Sequence, residues 1–313
     1  MQRNVRWVVV LLAVVAFGLG AYTYAKVPEH ETIGAAARAG ESGHFVTLTD
    51  GVTHYDVAGP DTGRVVVLVH GFSVPAYIWD STARALSGAG YRVIRYDQFG
   101  RGLSDRPDVA YDGAMYDRQL DELLDSLHVA GPVDLAGVSF GGYVTAHYTA
   151  GHAARVRTLT LVDPVSAGGK LPWLLGVPLL GEWFWNVTQL PGKAESQYDD
   201  FLHPERYPTW ADQYRTQMRY HGFGRALLRS AQTLSQVSFD SLYRAVAKTG
   251  VPVQLIWGRQ DHTVPFELSK VARTAIPSIE FFPVDSSGHL PHIEQAALVN
   301  AQLMRFFEAH RAP

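Results

Sequence analysis

The sequence predicts an α/β fold with a mostly parallel sheet flanked by helices. Short runs of β-branched and apolar residues recur along the chain, and stretches with the apolar spacing of helices separate them. Several of these runs are continuously apolar, which is typical of strands that helices cover on both faces. With 313 residues, of which 47% are hydrophobic, the chain can bury a core of this size.

Residues 1–25 are predicted to form a transmembrane helix outside this fold. An uncharged run from Trp7 to Ala25 follows Arg3 and Arg6. At ~1.5 Å per residue, a helix of this length spans roughly the hydrocarbon core of a bilayer. Because arginines favour the cytoplasmic side, the rest of the chain is expected on the extracytoplasmic side of the membrane.

A cleaved signal peptide is the alternative, because Thr23-Tyr24-Ala25 resembles a small-x-small cleavage site. The apolar segments of such signals are usually only ~7–15 residues long, so a single-pass anchor is preferred over a secreted protein. Residues 26–43, which are rich in alanine and glycine, are predicted to be a linker.

Strands and helices are predicted to alternate over residues 44–164. The strands are expected at His44–Thr49, Val52–Val57, Val65–Val69, Tyr91–Tyr96, Val133–Val138 and Val156–Val162. The helices are expected around Ile78–Leu86, Tyr111–Leu127 and Gly141–Thr149. Asp50-Gly51 is a typical hairpin turn, so the first two strands are expected to pair directly.

Residues 165–248 are predicted to form a helical cap, because no β-branched run occurs there. The alternation then resumes, with strands at Val253–Trp257 and Ile279–Val284 and helices at Pro265–Ala275 and Gln295–Ala309. The cap therefore interrupts one domain, whose second part is residues 249–313.

The cap contains strongly apolar segments that include Trp173, Trp183 and Trp185. So much apolar surface is expected to serve a function, and the preferred interpretation is that these tryptophans line a substrate pocket. Two alternatives remain open, a contact of the outer face with the membrane and a small core within the cap.

Ser139 is the candidate nucleophile. It lies in Gly137-Val138-Ser139-Phe140-Gly141-Gly142, where a predicted strand meets a predicted helix. A serine at such a turn projects above the sheet edge only if the backbone bends sharply, so the positions two before and two after it must be small. Gly137 and Gly141 meet this requirement.

A serine nucleophile also needs two N–H donors for the oxyanion of its tetrahedral intermediate. One candidate is the amide of Phe140, next to Ser139. The other is the amide of Phe72, which follows a buried strand in Val69-His70-Gly71-Phe72. His70 and Gly71 are then expected to support this loop rather than to act in catalysis.

His289 is the candidate base, since it lies in a loop between the last predicted strand and the last helix. Such a loop can reach over the sheet edge that carries Ser139. His292, at the start of the final helix, is expected at the surface or in a supporting position. His147 and His152, on the helix after Ser139, are expected to be structural.

Asp261 is the candidate acid that orients the histidine, because it follows a strand end upstream of His289. Asp163, also at a strand end, is the rival, although its place before Pro164 favours a turn. Asp285 is too close to His289 along the chain for an easy approach.

From about His44 onwards, the sequence resembles the α/β-hydrolase superfamily, and in particular its capped serine hydrolases. The resemblance rests on His70-Gly71-Phe72, the segment Tyr96–Asp105, the turn around Ser139, Trp257–Asp261 and Gly288-His289. The order serine, aspartate, histidine along the chain is also that of these hydrolases. Within the superfamily the sequence is most similar to membrane-anchored monoacylglycerol lipases and bacterial carboxylesterases.

The resemblance implies an α/β-hydrolase fold and hydrolysis of carboxylic esters through an acyl-enzyme, with no cofactor. Related dehalogenases and epoxide hydrolases use an aspartate nucleophile, and Ser139 argues against both. Two alternatives stay open: a hydrolase of C–C bonds with the same triad, and a ligand receptor that retains a hydrolase pocket but turns over little.

The composition of the chain limits the classes of partner and cofactor that are expected. A net charge of −3 does not favour a nucleic acid as a partner. The resemblance implies a small ester or lipid substrate, and the apolar N-terminal run predicts contact with a membrane. The absence of cysteine excludes thiolate nucleophiles and cysteine-ligated metals. Gly100-Arg101-Gly102 lacks the third glycine of a dinucleotide motif, and no residue pattern predicts a metal site.

Overall fold

The computed structural model describes residues 2–311, and their side chains from residue 5 onwards. The strands are β1 (His44–Leu48), β2 (Gly51–Ala58), β3 (Val65–Val69), β4 (Arg92–Tyr96), β5 (Val133–Val138), β6 (Val156–Val162), β7 (Val253–Gly258) and β8 (Glu280–Val284). The helices are α1 (Gln2–Lys26), α2 (Ala35–Arg38), α3 (Asp80–Gly88), α4 (Gly113–Ser126), α5 (Phe140–Gly151), α6 (Leu180–Thr188), α7 (Trp210–Met218), α8 (Phe223–Leu234), α9 (Phe239–Thr249), α10 (Ser269–Ala275), α11 (Pro291–Glu294) and α12 (Ala296–Ala309).

All eight strands form one sheet in the order β1-β2-β4-β3-β5-β6-β7-β8. The β1–β2 hairpin and the β2–β4 pair are antiparallel, and every pair from β4 to β8 is parallel. The mostly parallel α/β fold predicted from the sequence is therefore confirmed. Strands β3, β5 and β6 have the predicted bounds.

Helices cover both faces of the sheet, which explains the continuously apolar strands. Val67 and Val69 of β3 belong to the core under α4, α5, α9 and α10, whereas Val66 and Leu68 belong to the core under α3 and α12. All four side chains are 0% exposed, because successive residues of a strand face opposite sides.

The segment from Pro164 to Ser238, called the cap below, lies between β6 and α9. It contains α6, α7 and α8 together with short 3₁₀ turns. Helix α9 instead packs against α5 and α10, and Tyr243 and Val246 are fully buried in that layer. The range predicted for the cap, 165–248, thus includes one helix of the layer against the sheet. The apolar spacing of α9 would be the same in the cap and against the sheet, so the sequence pattern could not assign this helix to one of the two.

Helix α1 projects from the domain. From Val5 to Lys26 it is long and apolar enough to cross a membrane, and its large apolar side chains are exposed. An exposed apolar helix is unfavourable in water, so this helix fits either a membrane anchor or a signal sequence.

Residues 26–43, predicted to be a linker, contact the cap. The Glu29 carboxylate accepts hydrogen bonds from the amides of Gly222 (2.8 Å) and Gly224 (2.5 Å) at the start of α8. The His221 amide donates to the carbonyl of Glu31 at 2.8 Å. A carboxylate at a helix N-terminus is stabilised by the helix dipole, so these contacts tie the segment to the cap.

Candidate active site

Ser139 lies at the turn between β5 and α5, where the sequence predicts the nucleophile. Its backbone has φ 54° and ψ −116°, a conformation that L-residues rarely adopt. Hydrogen bonds of both the amide and the carbonyl of Ser139 hold this turn. The Ser139 amide donates to the Val162 carbonyl at 2.9 Å, and its own carbonyl accepts from the amides of Gly142 and Val165.

Two glycines allow this turn to pack closely. A Cβ on Gly137 would lie 2.3 Å from the Gly141 carbonyl oxygen. A Cβ on Gly141 would lie 2.3 Å from the carbonyl oxygen of Val69 and 2.5 Å from that of His70. A larger residue at position 137 would therefore collide with the start of α5, and one at position 141 would push the turn away from β3, so both positions must be small, as the sequence pattern indicated.

The loop after β3 brings Phe72 beside the turn. Its ring packs edge-on against the ring of Phe140, with the centroids 5.9 Å apart. Within residues 2–311, neither the backbone amide of Phe72 nor that of Phe140 donates a hydrogen bond to another group of the protein. Both N–H groups are therefore available to an oxyanion.

The buried His70 side chain stabilises the loop after β3 through hydrogen bonds. Its Nδ1 donates to the carbonyl of Gly71, and its Nε2 accepts from the amide of Gln98, both at 2.9 Å. Burial lowers the pKa of His70 to about 4, so its ring is neutral at neutral pH. Both ring nitrogens are thus used in holding the backbone.

Arg101 also supports the loop, and sequence reasoning missed this role. Its buried guanidinium donates to the Phe72 carbonyl (2.8 Å), the Tyr116 hydroxyl (2.8 Å) and, in the cap, the Ser230 hydroxyl (2.9 Å). The segment Tyr96–Asp105 contained the residue, but its partners are far away in sequence. Arg101 thus links the Phe72 loop to α8.

His289 and Asp261 are brought together at the sheet edge. His289 Nδ1 lies 2.8 Å from Asp261 Oδ2, and both residues are buried. Asp261 Oδ1 accepts hydrogen bonds from the amides of Thr263 (2.9 Å) and Val264 (2.8 Å). Burial disfavours a charged imidazole, but Asp261 more than offsets this and raises the pKa of His289 above its ordinary value.

Asp163, the rival acid, lies next to this pair. One oxygen of Asp163, one oxygen of Asp261 and a ring nitrogen of His289 are all within 4.8 Å of one another. Asp163 Oδ1 accepts from the Gly258 amide at 2.8 Å. Burial and the nearby Asp261 raise the pKa of Asp163 well above its ordinary value. These three side chains are the only described cluster that could hold a metal ion.

The other candidates lie elsewhere. His292 is buried rather than at the surface, packs against Trp79, and has its pKa lowered to about 3 by burial and by His289. His147 pairs with Asp117 at 2.8 Å, and His152 stacks on Tyr148. The mostly exposed Asp285 pairs with Arg259.

A cavity of about 450 Å³ opens beside Ser139 and His289, between the domain and the cap. Most of its lining is apolar: Phe72, Val74, Ile78, Val138, Val165, Leu234, Val264, Leu268 and Leu290. Between the described side chains of Ser139 and His289 no hydrogen bond is formed. Such bonds are often looser in the absence of substrate.

The tryptophans of the cap lie elsewhere, contrary to the prediction that they line the substrate pocket. None of Trp173, Trp183 and Trp185 lines the described cavity. Trp173 is 81% exposed, and Trp185 packs, partly buried, against the core under α3 and α12. The indole of Trp183 donates a hydrogen bond of 2.8 Å to Thr23 at the end of α1.

A mostly parallel eight-stranded sheet in this order, with a serine at a strained turn after β5, is the arrangement of the α/β hydrolases. A model of the alpha/beta hydrolase family matches residues 66–302, and the chain belongs to that family.

Relatives in the family have several activities. The chain is 27% identical to the cis-3-alkyl-4-alkyloxetan-2-one decarboxylase of Xanthomonas campestris, over 74% of this chain and 84% of that protein. It is 28% identical to Lipase 3 of a Moraxella species, over 74% of each chain. The enol-lactonase of Burkholderia xenovorans superposes with a TM-score of 0.74 at 20% identity, covering 85% of this chain and all of that one.

Replacing the two aspartates should separate their roles. Asp261→Asn is expected to lower kcat/KM for a 4-nitrophenyl ester about 10⁴-fold, because the amide cannot hold the histidine in the productive tautomer. Asp163→Asn should retain activity within about tenfold, because the amide oxygen can still accept from the Gly258 amide and the described Asp163 makes no hydrogen bond with His289. The reverse order of losses would identify Asp163 as the acid.

Activity should also depend on a neutral His289. As the pH falls, kcat/KM of the wild type should decline through the raised pKa of His289, because the base must be unprotonated. His289→Ala should silence the enzyme. His292→Ala should lose stability, since the ring is buried, but keep its specific activity while folded. A wild-type profile that stays flat down to pH ~4 would argue against a histidine base.

Proposed function

We propose that the protein is a serine hydrolase that cleaves carboxylic esters of apolar acyl groups. The observation that carries this proposal is the shared cavity. It brings Ser139 and the His289–Asp261 pair to the edge of one apolar pocket. Membership of the family and the similarity to a lipase support hydrolysis.

In the proposed reaction, His289 Nε2 takes the proton of the Ser139 hydroxyl as its oxygen attacks the ester carbonyl. Asp261 holds Nδ1–H and stabilises the imidazolium that forms. The amides of Phe72 and Phe140 bind the oxyanion, and the alcohol leaves with the proton from His289. Water, activated by the same histidine, then releases the acid from the acyl-enzyme.

The mechanism can be tested with esters of graded acyl length and a fluorophosphonate probe. Wild-type protein should hydrolyse short to medium acyl esters and label covalently. Ser139→Ala should lose about 10⁴–10⁶-fold in kcat and all labelling, while its thermal unfolding shows an intact fold.

Other outcomes would identify other functions. Ser139-dependent cleavage of a vinylogous diketone, but of no ester, would indicate a C–C bond hydrolase. Decarboxylation of a cis-3-alkyl-4-alkyloxetan-2-one would indicate the activity that names the Xanthomonas relative. Tight binding of a ligand with almost no turnover of any substrate would indicate a receptor.

We further propose that α1 anchors the protein in a membrane, with the hydrolase domain on the extracytoplasmic side. The exposed apolar surface of α1 and the arginines before it, Arg3 and Arg6, support this. Leu179, which is 86% exposed, directly precedes α6, the helix that contacts Thr23 through Trp183. Exposed apolar groups beside the helix end are suited to the membrane interface.

The anchor predicts how the protein fractionates. Full-length protein should sediment with membranes and resist carbonate extraction, whereas a chain beginning at Lys26 should be soluble and should keep the Glu29 contacts. Protease added outside should reach the hydrolase domain in intact spheroplasts. A mature N-terminus at Lys26 would instead establish a cleaved signal, and protection of the domain from protease would establish the opposite topology.

A further inference from the structure

Lys193 brings a positive charge to the cavity. It lies in the cap after α6 and lines the same cavity as Ser139 and His289. Its ammonium nitrogen is 5.8 Å from the centroid of the Phe72 ring. The ammonium is therefore close to the Phe72 side chain, in the cavity that Ser139 and His289 also line.

Within the described part of the chain, the ammonium group lies over the Phe72 ring but has no ion-pair or hydrogen-bond partner. No carboxylate there lies within 4.0 Å of it, and it donates no hydrogen bond. Two acids, Asp199 and Asp200, line the same cavity, but both are beyond ion-pair distance of Lys193. Asp199 is exposed, and Asp200 Oδ1 already accepts a hydrogen bond of 2.7 Å from the Thr263 hydroxyl.

Lys193 is half-buried, and its surroundings disfavour the charge on its ammonium group. Removal from water disfavours the charged form, and burial lowers the pKa of Lys193 despite the opposing influence of Asp200 and Asp199. The local fold does not need the side chain. The loop is held through the Lys193 carbonyl, which accepts from the Ser196 hydroxyl and the Gln197 amide group, both at 3.0 Å. An uncharged side chain of similar length would fill the same space without this penalty.

We propose that Lys193 binds a carboxylate carried by the ester substrate, so that the site prefers esters with an anionic group to neutral esters of equal length. The proposal rests on the proposed ester hydrolysis at Ser139 and specifies its substrate class. The ammonium is the only described cationic side chain, apart from His289, that lines the cavity. The carboxylate would bind over the Phe72 loop, and the apolar lining would take the rest of the substrate.

Matched pairs of substrates test this, since the carboxylate can be on either side of the ester bond. One pair is 4-nitrophenyl butanoate and 3-carboxy-4-nitrophenyl butanoate, which places the charge on the leaving group. The other is methyl hexanoate and monomethyl adipate, which places it on the acyl chain. For each pair, the ratio of the two kcat/KM values is compared between full-length variants, which cancels the intrinsic reactivity of the substrates.

Lys193→Met should lower the anionic-to-neutral ratio about tenfold or more for at least one pair, because it removes a charge-assisted contact. Lys193→Arg should restore most of the ratio. Lys170→Met is the matched control, since Lys170 is also in the cap but exposed, and it should leave the ratio unchanged.

Unchanged ratios for both pairs in Lys193→Met would overturn the proposal. Equal losses on anionic and neutral esters would also overturn it, because they would show a structural role. A wild-type protein that hydrolyses neither member of either pair in a Ser139-dependent way would instead refute the proposed ester hydrolysis, and the substrate class with it.

Discussion

The backbone of Ser139 is held in a conformation that costs an L-residue about 1–3 kcal/mol, and the geometry of the site depends on it. Its φ of 54° turns the serine side chain out of the sheet while α5 begins at the next residue. Three backbone hydrogen bonds and the close approach of Gly141 to β3 keep the chain there. The Phe140 ring, at the next residue, packs against the Phe72 ring, so the same turn supports the proposed nucleophile and both proposed oxyanion donors.

At the His289 end of the site, the buried Asp163 and Asp261 interact electrostatically. Asp163, Asp261 and His289 each place a polar atom within 4.8 Å of the others, and burial together with Asp261 raises the pKa of Asp163. Asp261 is the aspartate that contacts the histidine, with Oδ2 2.8 Å from His289 Nδ1. In the proposed mechanism, this contact stabilises the imidazolium that forms when His289 takes a proton.

Predictions from the sequence were accurate where residues close together along the chain determine the local structure. Strand β3 matches to the residue because it is an unbroken apolar run of valines and a leucine, and the turn glycines flank Ser139 at fixed spacing. These predictions failed where a contact joins segments that are far apart in the sequence. The Glu29 contacts with α8, the packing of α9 on α5, and the meeting of Trp183 with Thr23 have no local signature. Lys193 and Arg101 were missed for the same reason, since their significance lies in what surrounds them.

The contact of Glu29 with the cap shortens the connection between α1 and the domain. Helix α1 ends at Lys26, and Glu29 is already bonded to the start of α8, so the free chain between them spans at most ~10 Å. In the anchored form, the enzyme is thus confined to a thin layer next to the lipid surface. Its encounters with the proposed ester substrates would then depend on how many of them occupy each unit of membrane area and on lateral diffusion, not on their concentration in the surrounding water.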